Sequence, residues 1–217
     1  VLQIILGVSM IIPIIIQFIY VELDSSFISA GVISIVFGIL FFLSNIDHNK
    51  KLNLPQAFLL TALSWISIAI FGALPFIFSN LELSITDSFF ESMSGITTTG
   101  STIMVNLDGA PKAILLWRAM LQWLGGVGII LMAITLMPIM NVGGMQLFKI
   151  SSNDNAEKIL PKSKEISLRL LLIYSILTFC CAFFYKIFGM NFFDSLTHSM
   201  TTIATGGFSN YNESIGH

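Results

Sequence analysis

Long stretches without a single charged residue divide this chain, and they constrain its fold more than any other feature. Most of them reach the roughly 20 residues that a helix needs to cross the hydrocarbon core of a bilayer. Only 10% of the residues are charged, compared with about 25% in an ordinary soluble domain. The sequence therefore predicts an all-α integral membrane protein. The uncharged runs are residues 1–21, 25–46, 52–81, 119–148 and 170–185.

The positions of the charged residues predict how these helices are threaded. Lys50 and Lys51 lie in one short connection, and four more lysines lie within residues 149–164. Both segments are expected on the cytoplasmic side, where basic loops are retained. If successive helices cross the membrane in opposite directions, acidic residues lie at or near the outer face. There they either raise the local concentration of cations modestly or only keep the loops hydrated. These residues are Glu22, Asp24, Glu82, Asp87, Glu91, Asp108, Asp194 and Glu213.

Two short polar segments interrupt the apolar sequence. Residues 96–102 read ITTTGST and residues 203–209 read IATGGFS, and the predicted threading places both on the outer side. Each follows a predicted helix of eleven residues, 87–97 and 194–204. Eleven residues span about 16 Å, too little to cross a core of about 30 Å, so we expect half-helices that enter the membrane and turn back. Ser88 and Glu91 have the spacing of a capping box at the first of them.

The two polar segments repeat each other in one register, which points to a shared function. At membrane depth, backbone outside helices and sheets is tolerated only where protein buries it or water reaches it. Carbonyl and hydroxyl oxygens there can replace the hydration shell of a cation. A shift of 107 residues pairs Ser88 with Ser195, Ser92 with Ser199, Met93 with Met200, Ile96 with Ile203, Thr98 with Thr205 and Gly100 with Gly207. The expected cation-binding residues are Thr98, Thr99, Gly100, Ser101, Thr205, Gly206, Gly207 and Phe208.

Three segments of the chain resemble a known family. Residues 90–102 (FESMSGITTTGST), residues 112–128 (KAILLWRAMLQWLGGVG) and residues 205–209 (TGGFS) resemble the TrkH-type membrane subunit of the Trk/Ktr potassium uptake family. That family has two leading helices followed by four helix, pore-loop, helix units around one ion path. The resemblance implies a leading helix pair at 1–46, a first unit at 52–140, a cytoplasmic connector at 141–164, and a second unit at 165–217 that stops after its filter loop. The chain is then expected to be an N-terminal fragment.

The resemblance also implies what the chain transports and what it binds. The transported ion is expected to be K⁺, in a bacterial inner membrane surrounded by lipid, with Na⁺ or H⁺ symport as one possible coupling. The full-length form is expected to be a homodimer that binds a cytoplasmic, TrkA-like nucleotide-binding subunit. No basic stripe with interleaved aromatic residues is present in the sequence, so nucleic acid is not an expected partner.

Two other classes of function remain open. A non-conducting accessory subunit is one, because two filter segments supply only part of a four-stranded pore. An intramembrane enzyme is less favoured, since the sequence places no Ser/His or Asp/Asp pair within the apolar core. Cys180 and Cys181 are adjacent in an apolar run and are expected to pack rather than to bind metal.

Several single residues have two readings each. Gly125, Gly126 and Gly128 suit close helix packing better than a hinge. Arg118 either extends to the membrane interface or forms an ion pair with an outer carboxylate. His198 occupies the repeat position of Glu91, and we expect a structural hydrogen bond there rather than a pH sensor.

Overall fold

The computed structural model of the chain describes residues 1–22, 24–44, 54–140 and 159–214. For residues 54, 133–140 and 159–164 it describes the backbone alone. All regular structure in these ranges is helical, which confirms the predicted fold class. The helices are α1 (Leu2–Ser9), α2 (Ile11–Tyr20), α3 (Ser26–Leu43), α4 (Leu54–Phe78), α5 (Ile85–Ile96), α6 (Lys112–Met140), α7 (Ile159–Ile187) and α8 (Phe192–Ile203), with a 3-10 turn at Leu107–Gly109.

Within the described residues, five helical segments are long and apolar enough to cross a membrane, and they correspond to the five uncharged runs. α1 and α2 together form one span, interrupted at Met10. Pro13, in the first turn of α2, has no N–H to continue the hydrogen-bond ladder, which accounts for the break. The spans are Leu2–Tyr20, Ser26–Leu43, Pro55–Phe78, Lys112–Met132 and Glu165–Ile187. The predicted cytoplasmic lysines at 50, 51, 149 and 158, and most of the predicted connector at 141–164, lie outside the described residues.

α6 is the central helix of the bundle. In the 18-residue apolar window of its span 56% of the residues are buried, compared with 11% in the corresponding window of α7. The indole N–H of Trp117, which is fully buried in α6, donates to the Gly72 carbonyl of α4 at 2.9 Å. At the start of α6, the Glu22 carboxylate accepts hydrogen bonds from the first two backbone amides of the helix, at 2.6 and 3.2 Å. A carboxylate at a helix N-terminus stabilises it, because the free amides and the helix dipole are positive there.

The half-helices α5 and α8 have 12 residues each, begin two residues before the predicted starts and end one residue before the predicted ends. Their N-caps lie at equivalent repeat positions. The Ser84 side chain accepts from the amide of Asp87 at 3.1 Å, and the Asn191 side chain accepts from the amide of Asp194 at 2.8 Å. The predicted capping box at Ser88 is therefore wrong, because the helix begins one turn earlier.

Candidate functional site

The two polar segments fold into hairpins with the same backbone geometry. Thr98 and Gly100 have φ angles of 56° and 79°, and the matching residues Thr205 and Gly207 have 58° and 78°. Left-handed backbone is costly for residues with a Cβ and free of that cost for glycine. The repeat found in the sequence thus extends to the conformation of the main chain.

Hydrogen bonds hold each hairpin against the end of its own half-helix. In the first, the Ser94 carbonyl accepts from the amides of Thr99 and Gly100; in the second, the Thr201 carbonyl accepts from the corresponding amides. The distances are 3.0 and 3.4 Å in both hairpins. These loop amides are therefore bound to helix-end carbonyls. Of the loop carbonyls, that of Ser101 accepts from the Ser94 hydroxyl at 2.5 Å.

The two hairpins touch each other through their main chains. A Cβ placed on Gly100 would lie 1.7 Å from the Gly206 carbonyl oxygen, so only glycine fits there. Both hairpins must consequently lie at one level of the bundle, on the same side of the membrane. The C-terminal ends of α5 and α8 lead into them, and a helix C-terminus carries a partial negative charge that favours a cation.

The eight expected cation-binding residues are not equally accessible. Thr99, Ser101, Thr205 and Gly207 are exposed, and Thr98, Gly100 and Gly206 are half-buried. Phe208 is only 4% exposed, and the Arg118 guanidinium carbon lies 4.2 Å from the centre of its ring. Its side chain is packed within the protein, which leaves its backbone as the part that could face an ion. The Thr99 hydroxyl lies 2.9 Å from the hydroxyl of Thr97.

Behind the hairpins lies a buried ion pair, between Glu91 of α5 and Arg118 of α6. Nε of Arg118 donates to Oε1 of Glu91 at 2.7 Å, and the two side chains are 1% and 0% exposed. The expectation that Arg118 extends to the membrane interface is wrong, and the alternative, an ion pair with an outer carboxylate, is confirmed. Burial without a partner would be far too costly for either charge, which explains the pairing.

Arg118 also connects the two hairpins. Its Nη2 donates to the Thr102 hydroxyl after the first hairpin at 3.0 Å, and its Nη1 donates to the Ser209 carbonyl after the second at 2.8 Å. The Thr102 hydroxyl in turn donates to the Glu91 carboxylate at 2.9 Å. Sequence reasoning missed this network, although a lone arginine in an apolar helix was a usable signal.

Gln122, one turn after Arg118 in α6, is a further residue that the sequence did not single out. Its side chain is fully buried, and its Oε1 accepts from the amide of Phe208 at 3.1 Å. A Cβ on Gly206 would lie 2.3 Å from its Cδ, so the second hairpin passes directly over this amide group.

The second half-helix carries a polar cluster of its own near its N-terminus. The Asp194 carboxylate accepts from Asn210 Nδ2 and from the Tyr211 hydroxyl, both at 2.6 Å, and from Asn191. Burial acts to raise the pKa of Asp194, but these hydrogen bonds, Tyr211 first, lower the pKa below its ordinary value. The bond to Asp194 raises the pKa of Tyr211. His198 makes the expected structural contacts, with Nδ1 2.9 Å from the Asp194 carbonyl and Nε2 3.4 Å from the Ser209 hydroxyl.

The glycines of α6 allow the half-helices to approach closely. A Cβ on Gly125 would lie 2.0 Å from the Ile96 carbonyl oxygen at the end of α5. A Cβ on Gly126 would lie 3.3 Å from Cα of Ala204, directly after α8, and 2.5 Å from the Tyr174 hydroxyl of α7. The packing role predicted for these two residues is confirmed. Within the described residues, no group of three or more His, Cys, Asp or Glu side chains could hold a metal ion.

Comparison with known proteins places this arrangement in a family. The sequence model of TrkH, described as a cation transport protein, matches residues 23–217. The chain is 43% identical over 215 residues to the Trk system potassium uptake protein TrkH of Escherichia coli (strain K12), a match that covers 96% of this chain and 44% of that protein. The corresponding protein of Halomonas elongata is 40% identical over 97% of this chain and 45% of its own length.

A solved structure agrees with both sequence matches. The crystal structure of the potassium transporter TrkH from Vibrio parahaemolyticus superposes with a TM-score of 0.88 at 35% identity, covering 100% of this chain and 44% of that one. The chain thus spans less than half the length of the relatives it matches. The family model, the related sequences and the shared fold together show that this chain belongs to the TrkH family of cation transport proteins.

Proposed function

We propose that this chain forms part of a path for K⁺ across the bacterial inner membrane, and that the two Thr/Gly hairpins bind the ion during its passage. The observation that carries the proposal is the contact between two hairpins of identical backbone geometry, at Gly100 and Gly206. The loop amides bind helix-end carbonyls, so the loop carbonyls other than that of Ser101, which accepts from the Ser94 hydroxyl, are the proposed acceptors for a dehydrated cation. The relatives are named for potassium uptake, which supports K⁺ as the ion.

The ion-binding groups in this proposal are backbone and hydroxyl oxygens of both hairpins. None of these residues is a carboxylate, which favours a monovalent ion over a divalent one, since protein sites for Ca²⁺ use carboxylate oxygens. The residues are Thr98, Thr99, Gly100, Ser101, Thr205, Gly206, Gly207 and Phe208.

The two hairpins differ in what surrounds them, and this bears on how a complete path is built. A Cβ on Gly100 meets the neighbouring hairpin, whereas a Cβ on Gly207 would have no described atom within 4 Å. We propose that further filter segments pack beside Gly207 as the second hairpin packs beside Gly100. The same proposal divides the chain into a leading helix pair (1–46), a first unit (52–140), a connector (141–164) and a second unit (165–217).

The partners and the energy coupling of the path are proposals drawn from the family. Several relatives carry the name Trk system potassium uptake protein, so assembly into a Trk system is the proposed context. Homodimerisation, docking of a TrkA-like nucleotide-binding subunit on the cytoplasmic face, and symport with Na⁺ or H⁺ belong to the same proposal.

The test is a carboxylate placed where the hairpins touch. In the product of the complete gene, Gly100→Asp is expected to abolish K⁺ uptake in cells that lack other K⁺ importers, with normal amounts of protein in the membrane. Gly109→Asp is the matched control, because Gly109 is an exposed glycine between the first hairpin and α6, with no neighbouring atom closer than 3.5 Å to its Cβ position. Normal uptake by Gly100→Asp would contradict the proposal.

A second candidate, a non-conducting accessory subunit, is favoured by one observation, the coverage of 44% of the relatives' length. Flux of ⁸⁶Rb⁺ into liposomes distinguishes the two. Flux through liposomes that hold the 217-residue chain alone would contradict the accessory alternative, and silence of that chain would support it.

A further inference from the structure

One face of α6 contacts both hairpins along its length. Arg118 and Gln122 are four residues apart and therefore lie on the same side of the helix, with Gly125 and Gly126 about one turn further on. At the outer end this face binds residues 208 and 209, and at the inner end it packs against the last turns of α5 and α8. The contact between the two repeats thus follows a single row of α6 residues, Arg118, Gln122, Gly125 and Gly126, which we call the seam.

The guanidinium of Arg118 holds three separate segments in a fixed relation. It binds Glu91 in α5, Thr102 after the first hairpin and the Ser209 carbonyl after the second, at 2.7, 3.0 and 2.8 Å. The guanidinium is planar and its donors point in set directions, so these bonds define the distance between the hairpins in a way that a lysine ammonium could not. The ring of Phe208 lies beneath the guanidinium and packs against Gly95, which adds a second contact between the repeats.

Gln122 acts on the same hairpin from one turn deeper. Its Oε1 faces the Phe208 amide, and the opposite side of its amide group faces the first hairpin, since Nε2 lies 3.5 Å from the Cβ position of Gly100. Nε2 is buried and has no hydrogen-bond partner within the described part of the chain. A buried glutamine amide is therefore inserted between the two hairpins at the level where they touch.

We propose that Arg118 and Gln122 are positioning residues that keep the two hairpins at a fixed separation and thereby set the discrimination between K⁺ and Na⁺. This inference rests on the proposed filter function of the hairpins. Selectivity depends on the number and arrangement of carbonyls around the ion, and a filter free to contract would accommodate the smaller Na⁺. Both residues bind main-chain atoms of residues 208 and 209, next to the proposed ion-binding carbonyls.

The experiment compares conservative variants at the seam with matched variants away from it. Arg118→Lys keeps the positive charge and loses the planar donors, and Gln122→Met keeps the length and loses the acceptor for Phe208. Their controls are Arg169→Lys, at an exposed ion pair with Glu165, and Gln3→Met, which removes a buried glutamine hydrogen bond to Ser67. Uptake of K⁺ by the product of the complete gene is measured with and without competing Na⁺, normalised to the protein in the membrane.

The two seam variants are expected to raise the KM for K⁺ and to lower the preference for K⁺ over Na⁺ by about tenfold. That factor is of the order expected from losing a hydrogen bond to a charged group at Arg118, or from leaving the buried Phe208 amide without its acceptor at Gln122. The two controls should leave both quantities unchanged. A loss of Vmax alone, with unaltered KM and ion preference, would overturn the proposal. If Arg118→Lys does not accumulate, Thr102→Val provides the test, because it removes one bond of Arg118 at an exposed side chain.

Gly100→Ala distinguishes a failure of the positioning role of Arg118 and Gln122 from a failure of the proposed filter function of the hairpins. A changed ion preference in Gly100→Ala together with wild-type preference in the seam variants would refute the positioning role and leave the filter in place. Wild-type preference in all of them would refute the filter itself.

Discussion

Gly125 of α6 lies against the last turn of the first half-helix, and its replacement by alanine tests how that half-helix is seated. The new Cβ would lie 2.0 Å from the Ile96 carbonyl oxygen and 2.7 Å from its carbon. An ordinary contact begins at 3.4 Å, so α5 and α6 would have to separate by about 1.4 Å. The obstructing atoms belong to the main chain, and no change of side-chain rotamer can relieve the contact.

The size of the effect follows from two opposing contributions. Alanine is favoured over glycine in a helix interior by about 0.5–1 kcal/mol, and overpacking a tight contact costs about 1–3 kcal/mol or more. Gly128→Ala on the same helix gains the first contribution without the second, because its nearest neighbour is a Trp65 ring atom at 3.5 Å. We therefore expect the free energy of unfolding of the two variants to differ by about 2 kcal/mol, with Gly125→Ala the less stable.

The assay is thermal unfolding of the purified complete gene product in detergent, accompanied by K⁺ uptake in cells. Gly125→Ala should unfold at least about 2 °C below Gly128→Ala, and it should also take up K⁺ more slowly because the first hairpin begins directly after Ile96. Equal unfolding temperatures and equal uptake for the two variants would refute the close packing of α5 on α6.

Three further expectations follow from the site. Gly100→Ala places a Cβ 1.7 Å from the Gly206 carbonyl oxygen, on a residue whose φ is 79°. The KM for K⁺ uptake should therefore rise about tenfold or more. An unchanged KM would contradict the contact between the hairpins. Because the folded-state pKa of Asp194 is lowered, its stabilising effect is complete above about pH 4 and is lost as the pH falls through that pKa. Tyr211→Phe removes a donor to Asp194 and should move the acid-unfolding midpoint to higher pH, measured by tryptophan fluorescence. Glu22→Ala removes the acceptor for two α6 amides and should cost about 1 kcal/mol in chemical denaturation, with no loss expected if the cap is unimportant.

Hydropathy and segment length, both local properties of the sequence, were sufficient to predict the membrane spans and the half-helices. Hydropathy over about 20 residues is sufficient to find a spanning helix, because every backbone polar group in a bilayer must be satisfied within its own segment. The half-helices were found for a related reason, since their length is too short to cross. Their exact starts were missed at Ser84 and Asn191, because cap geometry depends on the side chain that first meets the free amides.

The sequence alone therefore determined the membrane class, the spans, the repeat and the two glycine-containing hairpins. Only the tertiary structure decided which distant residues meet. Glu91 and Arg118 are 27 residues apart, and Gln122 and Phe208 are 86 residues apart, so no local period relates them. From its position near the start of α6, Arg118 was expected at the membrane interface. In the fold it is buried, because the Glu91 carboxylate of α5 neutralises its charge. That pairing depends on how helices pack, and packing is a property of the whole fold.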